Sequence, residues 1–126
     1  MNTHIAHAIR NSSLCADPAT CWGPARSAQC IKFEQADGTV HLFPFVQFVC
    51  AEFRCENAAE LLRIEFGSHC VELEGVNLGE IVVALQVLEV GWVRTLPRKF
   101  QPAIHAGCAA VFSMRVKRAD AGPSSA

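Results

Sequence analysis

Seven cysteines and five histidines are the residues of this 126-residue chain that could bind a metal ion or act as nucleophiles. Structural zinc sites combine two closely spaced knuckles of Cys or His ligands. Four residues separate Cys50 from Cys55, and His105 lies three positions before Cys108, but no second knuckle accompanies either pair. The spacing predicts no metal site and no cofactor. A small metal-dependent or thiol-dependent enzyme is therefore an alternative function only.

A catalytic cysteine needs a neighbouring base that lowers its pKa. Cys70 shares a predicted strand with Glu72 and Glu74, whose negative charges disfavour a thiolate. Cys108 lies in a basic segment close to His105, which is a better environment. The chain contains no nucleophile elbow, phosphate-binding glycine loop, dinucleotide fingerprint or H-E-x-x-H motif. We therefore name no catalytic residue, and the sequence favours a non-enzymatic function.

The most aromatic part of the chain is the run from Leu42 to Phe48. It is too apolar for one half-buried strand, so at least one phenylalanine must face away from the core. Either the helix or the tail covers this phenylalanine, or it forms an exposed patch. Exposed apolar patches mark interaction surfaces. Because most homo-oligomers are two-fold dimers, we expect a self-associating protein-interaction module, a homodimer. The residues predicted to form its interface are Phe43, Pro44, Phe45 and Phe48.

The formal net charge of −1 conceals two oppositely charged parts of the chain. Residues 1–93 contain eleven acidic and five basic residues, whereas residues 94–126 contain six basic residues and one acidic residue. Basic clusters bind phosphates, so nucleic-acid binding is a second alternative function. An acidic body repels a polyanion, which makes nucleic acid a disfavoured partner. The residues that would carry this alternative are Arg98, Lys99, Arg115, Lys117 and Arg118.

Alternation of apolar and polar residues predicts about five antiparallel strands. They are expected near residues 30–36, 39–43, 48–54, 60–66 and 69–75. Asp37-Gly38 is typical of a two-residue type I′ turn, which would place Phe33 opposite Leu42.

A second hairpin is predicted around Gly67-Ser68, because glycine at the first central position is typical of a type II′ turn. That turn sets Ile64 opposite Val71 and Arg63 opposite Glu72. Apolar residues then face one another on one side of the sheet, and opposite charges face one another on the other side.

One amphipathic helix is predicted near residues 78–90, because apolar residues from Leu78 to Leu88 recur at helical spacing. Asn77 is the expected N-cap, and Gly91 is the expected stop. The fold class is therefore α+β, with about five antiparallel strands in a bent sheet and one helix packed on one face.

Three regions are expected along the chain. Residues 1–28 form a flexible N-terminal arm, residues 29–97 form the sheet-plus-helix domain, and residues 98–126 form a basic tail that is ordered to about residue 118. Alternation of apolar and polar residues from Ala110 to Lys117 favours a strand over a helix that begins at Pro102. An odd number of cysteines and the lack of a secretory signal or long apolar run indicate a cytoplasmic protein without a membrane partner.

Overall fold

The computed structural model describes residues 20–96 and 107–119. These residues form two four-stranded sheets, one α-helix and one short 3-10 turn at Phe45–Gln47. The elements are β1 (Trp22–Pro24), β2 (Cys30–Glu34), β3 (Val40–Pro44), β4 (Phe48–Glu56), β5 (Ala59–Phe66), β6 (His69–Val76), α1 (Gly79–Gln86), β7 (Val90–Arg94) and β8 (Ala110–Arg118).

The strand order is β1-β7-β2-β3 in the first sheet and β4-β5-β6-β8 in the second. Neighbouring strands are antiparallel except for β2 and β7, which are parallel. The α+β composition with predominantly antiparallel strands is confirmed. The expectation of about five strands in one bent sheet was wrong, because β1, β7 and β8 add three strands and the pairings divide them between two sheets. β1 lies within the segment expected to be a flexible arm.

The core lies between the two sheets and contains a cluster of phenylalanine rings. Phe66 of β5 is 2% exposed, and its ring centroid lies 4.8 Å from that of Phe43. The ring centroids of Phe33 and Phe48 each lie 6.1 Å from that of Phe66, in edge-on geometry. Because these rings come from β2, β3, β4 and β5, the cluster joins the first sheet to the second.

The hairpin between β5 and β6 has the predicted register. Ile64 lies opposite Val71, and Arg63 lies opposite Glu72. The first pair is fully buried and the second lies on the outer face of the second sheet. The prediction was specific because a one-residue slip would expose every apolar side chain of the strand.

The hairpin between β2 and β3 differs from the prediction by one residue. Phe33 lies opposite His41 rather than Leu42. The loop spans residues 35–39, and the backbone N–H of Thr39 donates to Oδ1 of Asp37 at 2.9 Å, which lowers the pKa of that carboxyl. The slip reverses the two faces of β3, so that Leu42 is 63% exposed and Phe43 is buried.

The helix α1 begins without the predicted side-chain cap from Asn77. Asn77 adopts a left-handed backbone with φ of 56°, and its Nδ2 donates to the carbonyl oxygen of Cys108 at 3.1 Å. The N-cap residue is Leu78, whose N–H donates to Oε1 of Glu60 at 2.7 Å. A carboxylate from β5 therefore satisfies a backbone donor at the start of the helix and ties α1 to the second sheet.

The helix ends at Gln86, four residues earlier than predicted. Gly91 was expected to end the helix in a left-handed backbone conformation, as glycine commonly does. Leu88 adopts that conformation instead, with φ of 55°. Gly91 instead lies inside β7, where an added Cβ would come within 2.7 Å of the Cβ of Ala25. The glycine therefore permits close approach of the chain near β1 rather than termination of the helix.

Candidate interaction surface

β4 forms one edge of the second sheet and is exposed over almost its whole length. Eight of its nine residues are exposed, and Phe48 is half-buried. Among the described residues, β5 pairs with one side of β4 and no strand pairs with the other. Alternate residues of an antiparallel edge strand point their N–H and C=O groups outward, where they can pair with a further strand.

One face of β4 carries apolar side chains that continue the core-facing side of the sheet. Ala51 lies opposite Ile64 and Phe53 lies opposite Leu62, and both β5 residues are buried. Phe53 is nevertheless 40% exposed, and the neighbouring Val49 is 62% exposed. Along residues 49–53 the buried core therefore ends at β5, whereas Phe48 at the start of β4 still packs against it. We call the free edge of β4 together with Val49, Ala51 and Phe53 the β4 surface.

The opposite face of the second sheet carries a row of alternating charges. The register aligns Glu52, Arg63, Glu72 and Arg115 across its four strands. They line a depression of about 260 Å³. Because each charge in this row lies opposite a charge of the other sign, the row stabilises the observed register. At the edge strand, the row ends on Glu52.

The aromatic run predicted as an interface lies largely against the core. Phe43 is 6% exposed, and its ring packs against those of Phe33 and Phe66. Pro44, Phe45 and Phe48 are half-buried, and the two phenylalanines pack against the core. The exposed apolar residues of the run are Leu42, at 63%, and Val46 in the 3-10 turn, at 89%. An interface at Phe43, Pro44, Phe45 and Phe48 stays a prediction.

The basic residues of the nucleic-acid alternative do not form a free positive patch in the described part of the chain. Arg115 and Lys117 of β8 both approach Glu72, with Nε–Oε1 and Nζ–Oε2 distances of 3.9 and 3.2 Å. Arg118 ends the same strand, opposite His69. Arg98 and Lys99 lie outside the described residues. The carboxylate partly offsets the two basic charges that a phosphate would need.

The cysteine pair of β4 is not arranged to bind one metal ion. Cys50 and Cys55 are five positions apart in the strand, so their side chains point to opposite faces of the sheet. Cys108 is exposed just before β8, and His105 lies outside the described residues. Within residues 20–96 and 107–119, no group of three or more His, Cys, Asp or Glu side chains has the geometry to hold a metal.

The cysteines differ strongly in accessibility, so their rates of chemical modification are expected to differ as well. Cys21 is 1% exposed, its Sγ accepts the N–H of Val111 at 3.3 Å, and burial raises its pKa. We expect iodoacetamide at pH 8 to modify Cys21 at least about 100-fold more slowly than Cys50, because a buried thiol reacts only after local opening. Peptide mass mapping over time measures both rates, and modification in urea is the control. Equal rates would contradict the burial of Cys21.

Two further observations bear on the class of protein. In the part of the chain that the structure describes, no helix has the length and apolar composition needed to cross a lipid bilayer. Comparison of the chain with protein-family models, with curated proteins and with solved structures found no match.

Proposed function

We propose that this chain is a non-enzymatic protein-interaction module that self-associates through the β4 surface. The observation that supports this proposal is a nine-residue edge strand, exposed along its length, with apolar side chains next to buried partners. Long exposed edges of this kind template pairing with another chain. Burying them against a copy of the same surface removes both the apolar area and the unpaired backbone groups from water.

The other three sheet edges support the proposal by contrast. β1 has three residues and ends in Pro24, and β3 has five residues and ends in Pro44. β8 is as long as β4, but three of its last four residues are basic, namely Arg115, Lys117 and Arg118. Short length, proline, β-bulges and charged side chains, especially lysine, are the features with which proteins block edge pairing. β4 is nine residues long and has no proline and no lysine. Its three charged residues, Glu52, Arg54 and Glu56, alternate in sign, and its β-bulge lies at the start of the strand, between Phe48 and Cys50.

The test replaces an apolar residue of the β4 surface by a charged one. We expect Phe53→Lys to weaken self-association at least about 30-fold, because a charge at the centre of an apolar contact stays unpaired when it is desolvated. Sedimentation velocity from 1 to 100 µM, concentrations chosen to bracket about a micromolar Kd, measures the dissociation constant.

Phe112→Lys is the matched control, because Phe112 is also a partly exposed phenylalanine, at 38%, on the opposite edge strand. It is expected to leave the dissociation constant within about 3-fold of the wild type, as substitutions outside an interface do. A wild-type chain that stays monomeric at the highest concentration would overturn the proposal. Equal association of the Phe53→Lys and wild-type chains would overturn the assignment to β4.

A further inference from the structure

Resting on the proposed self-association, we infer that two copies pair β4 with β4 in antiparallel orientation about a two-fold axis at Phe53. The two second sheets then form one continuous sheet of eight strands, because each copy contributes four. Strand addition of this kind supplies main-chain hydrogen bonds for affinity, and side chains on the paired strands select the register.

Symmetry limits the registers that two identical strands can adopt. A two-fold axis perpendicular to the sheet maps each face of the sheet onto itself. Residues on the same face must therefore lie opposite one another, and one residue must lie opposite its own copy. In β4 the side chains of Ala51, Phe53 and Cys55 share the core-side face, and those of Cys50, Glu52, Arg54 and Glu56 share the outer face.

Charge selects among the remaining registers. With Phe53 at the axis, Glu52 lies opposite Arg54 of the second copy, and Arg54 lies opposite Glu52 of the second copy. Both residues are exposed, and they share the outer face of the strand. The register therefore forms two identical ion pairs. An axis at Glu52 or at Arg54 would instead place like charges directly opposite, which destabilises a sheet.

The two other registers on the core-side face pair less of the strand or leave its charges unmatched. An axis at Ala51 places Glu52 opposite Cys50 and forms no ion pair. An axis at Cys55 would pair three residues of the strand at most, because Asn57 and Ala58 leave the extended conformation with φ of 50° and 66°. The axis at Phe53 pairs residues 50–56, which is most of β4.

The apolar face favours the same register. Phe53 meets Phe53 of the second copy at the centre of the contact, and aromatic cross-strand pairs stabilise sheets. Leu62 lies buried next to Phe53 in each copy. The two phenylalanines therefore fill the space between two existing cores and continue them across the axis.

The experiment exchanges the charges at positions 52 and 54. In the Glu52→Arg variant and in the Arg54→Glu variant, like charges face one another twice across the axis. We expect each variant alone to self-associate at least about 30-fold more weakly than the wild type. An equimolar mixture of the two variants restores both ion pairs, and so does the Glu52→Arg/Arg54→Glu double variant. Both are expected to associate within about 5-fold of the wild type.

The restoration separates the interface from effects inside one copy. Glu52 lies opposite Arg63 on its own β5, so a charge change there also alters the copy that carries it. Mixing two folded variants cannot repair such an effect, whereas it repairs a contact between copies. Arg115→Glu is the charge control for Arg54→Glu, because it makes the same change on the same face of the sheet, but at the opposite edge strand. It is expected to leave self-association unchanged.

Native mass spectrometry and sedimentation of each sample give the result. Restored heterodimers in the mixture support the Phe53 register. In a second outcome, the wild type self-associates, both single variants lose association, and the mixture does not restore it. This outcome overturns the Phe53 register and leaves the proposed self-association intact. A monomeric wild type overturns both.

Discussion

Phe66→Ala is expected to lower the free energy of unfolding by about 3–5 kcal/mol, the cost of removing a fully buried phenylalanine ring. Phe66 is 2% exposed and contacts three other phenylalanine rings that come from both sheets. Its removal opens a cavity at the contact between the sheets. Small domains have about 5–15 kcal/mol of total stability, so the variant loses a large share of it.

Urea denaturation followed by the fluorescence of the two tryptophans, Trp22 and Trp92, measures this loss. The control is Phe112→Ala, because Phe112 is a phenylalanine of the same second sheet that is 38% exposed. A surface truncation of this kind is expected to change the free energy of unfolding by less than about 1 kcal/mol. Similar losses in the two variants would show that the aromatic cluster does not join the sheets as described.

The two hairpins show why one register was predictable from the sequence and the other was not. Around Gly67-Ser68, apolar residues and charges strictly alternate, so one register alone satisfies both faces. In β3, the apolar residues Val40, Leu42 and Phe43 fall on both faces. Alternation therefore permits two registers, and the packing of Phe43 against Phe66 decides between them.

Contacts between distant parts of the chain were beyond prediction from local patterns. β1 has three residues, too few for a periodic signal, and it pairs with β7 some seventy positions later. β7 also lies parallel to β2, which no turn motif indicates. Such pairings depend on the packing of the whole core rather than on the residues of either strand.

The β4 surface illustrates the same limit for function. Ala51 and Phe53 alternate with Glu52 and Arg54, a pattern typical of any half-buried strand. The sequence therefore identifies the strand and its two faces. It does not reveal that β4 is an edge, because that position follows from the order of the strands in the sheet. The aromatic run is the more conspicuous signal in the sequence, but the structure uses much of it to fill the core.

Gly75→Ala is the second substitution with a large expected effect. Gly75 lies in β6 at an irregularity of the pairing with β8. A Cβ at this position would collide with the carbonyl oxygen of Ala110 and lie 2.9 Å from its carbonyl carbon. These are backbone atoms, so no side-chain rotation can relieve the clash. We expect the variant to lose about 3 kcal/mol of unfolding free energy, at the upper end of the cost of overpacking.

The matched control is Gly79→Ala, because an added Cβ there has no atom within 4 Å and lies in the first turn of α1. Alanine is a better helix former than glycine, so this variant is expected to gain about 0.5–1 kcal/mol. The same chemical change thus has opposite signs at two sites four residues apart. Urea denaturation gives both values, and hydrogen exchange of the β8 amides shows where Gly75→Ala acts. Unchanged protection of β8 in that variant would mean that the close approach of Gly75 to Ala110 does not hold β8 in place.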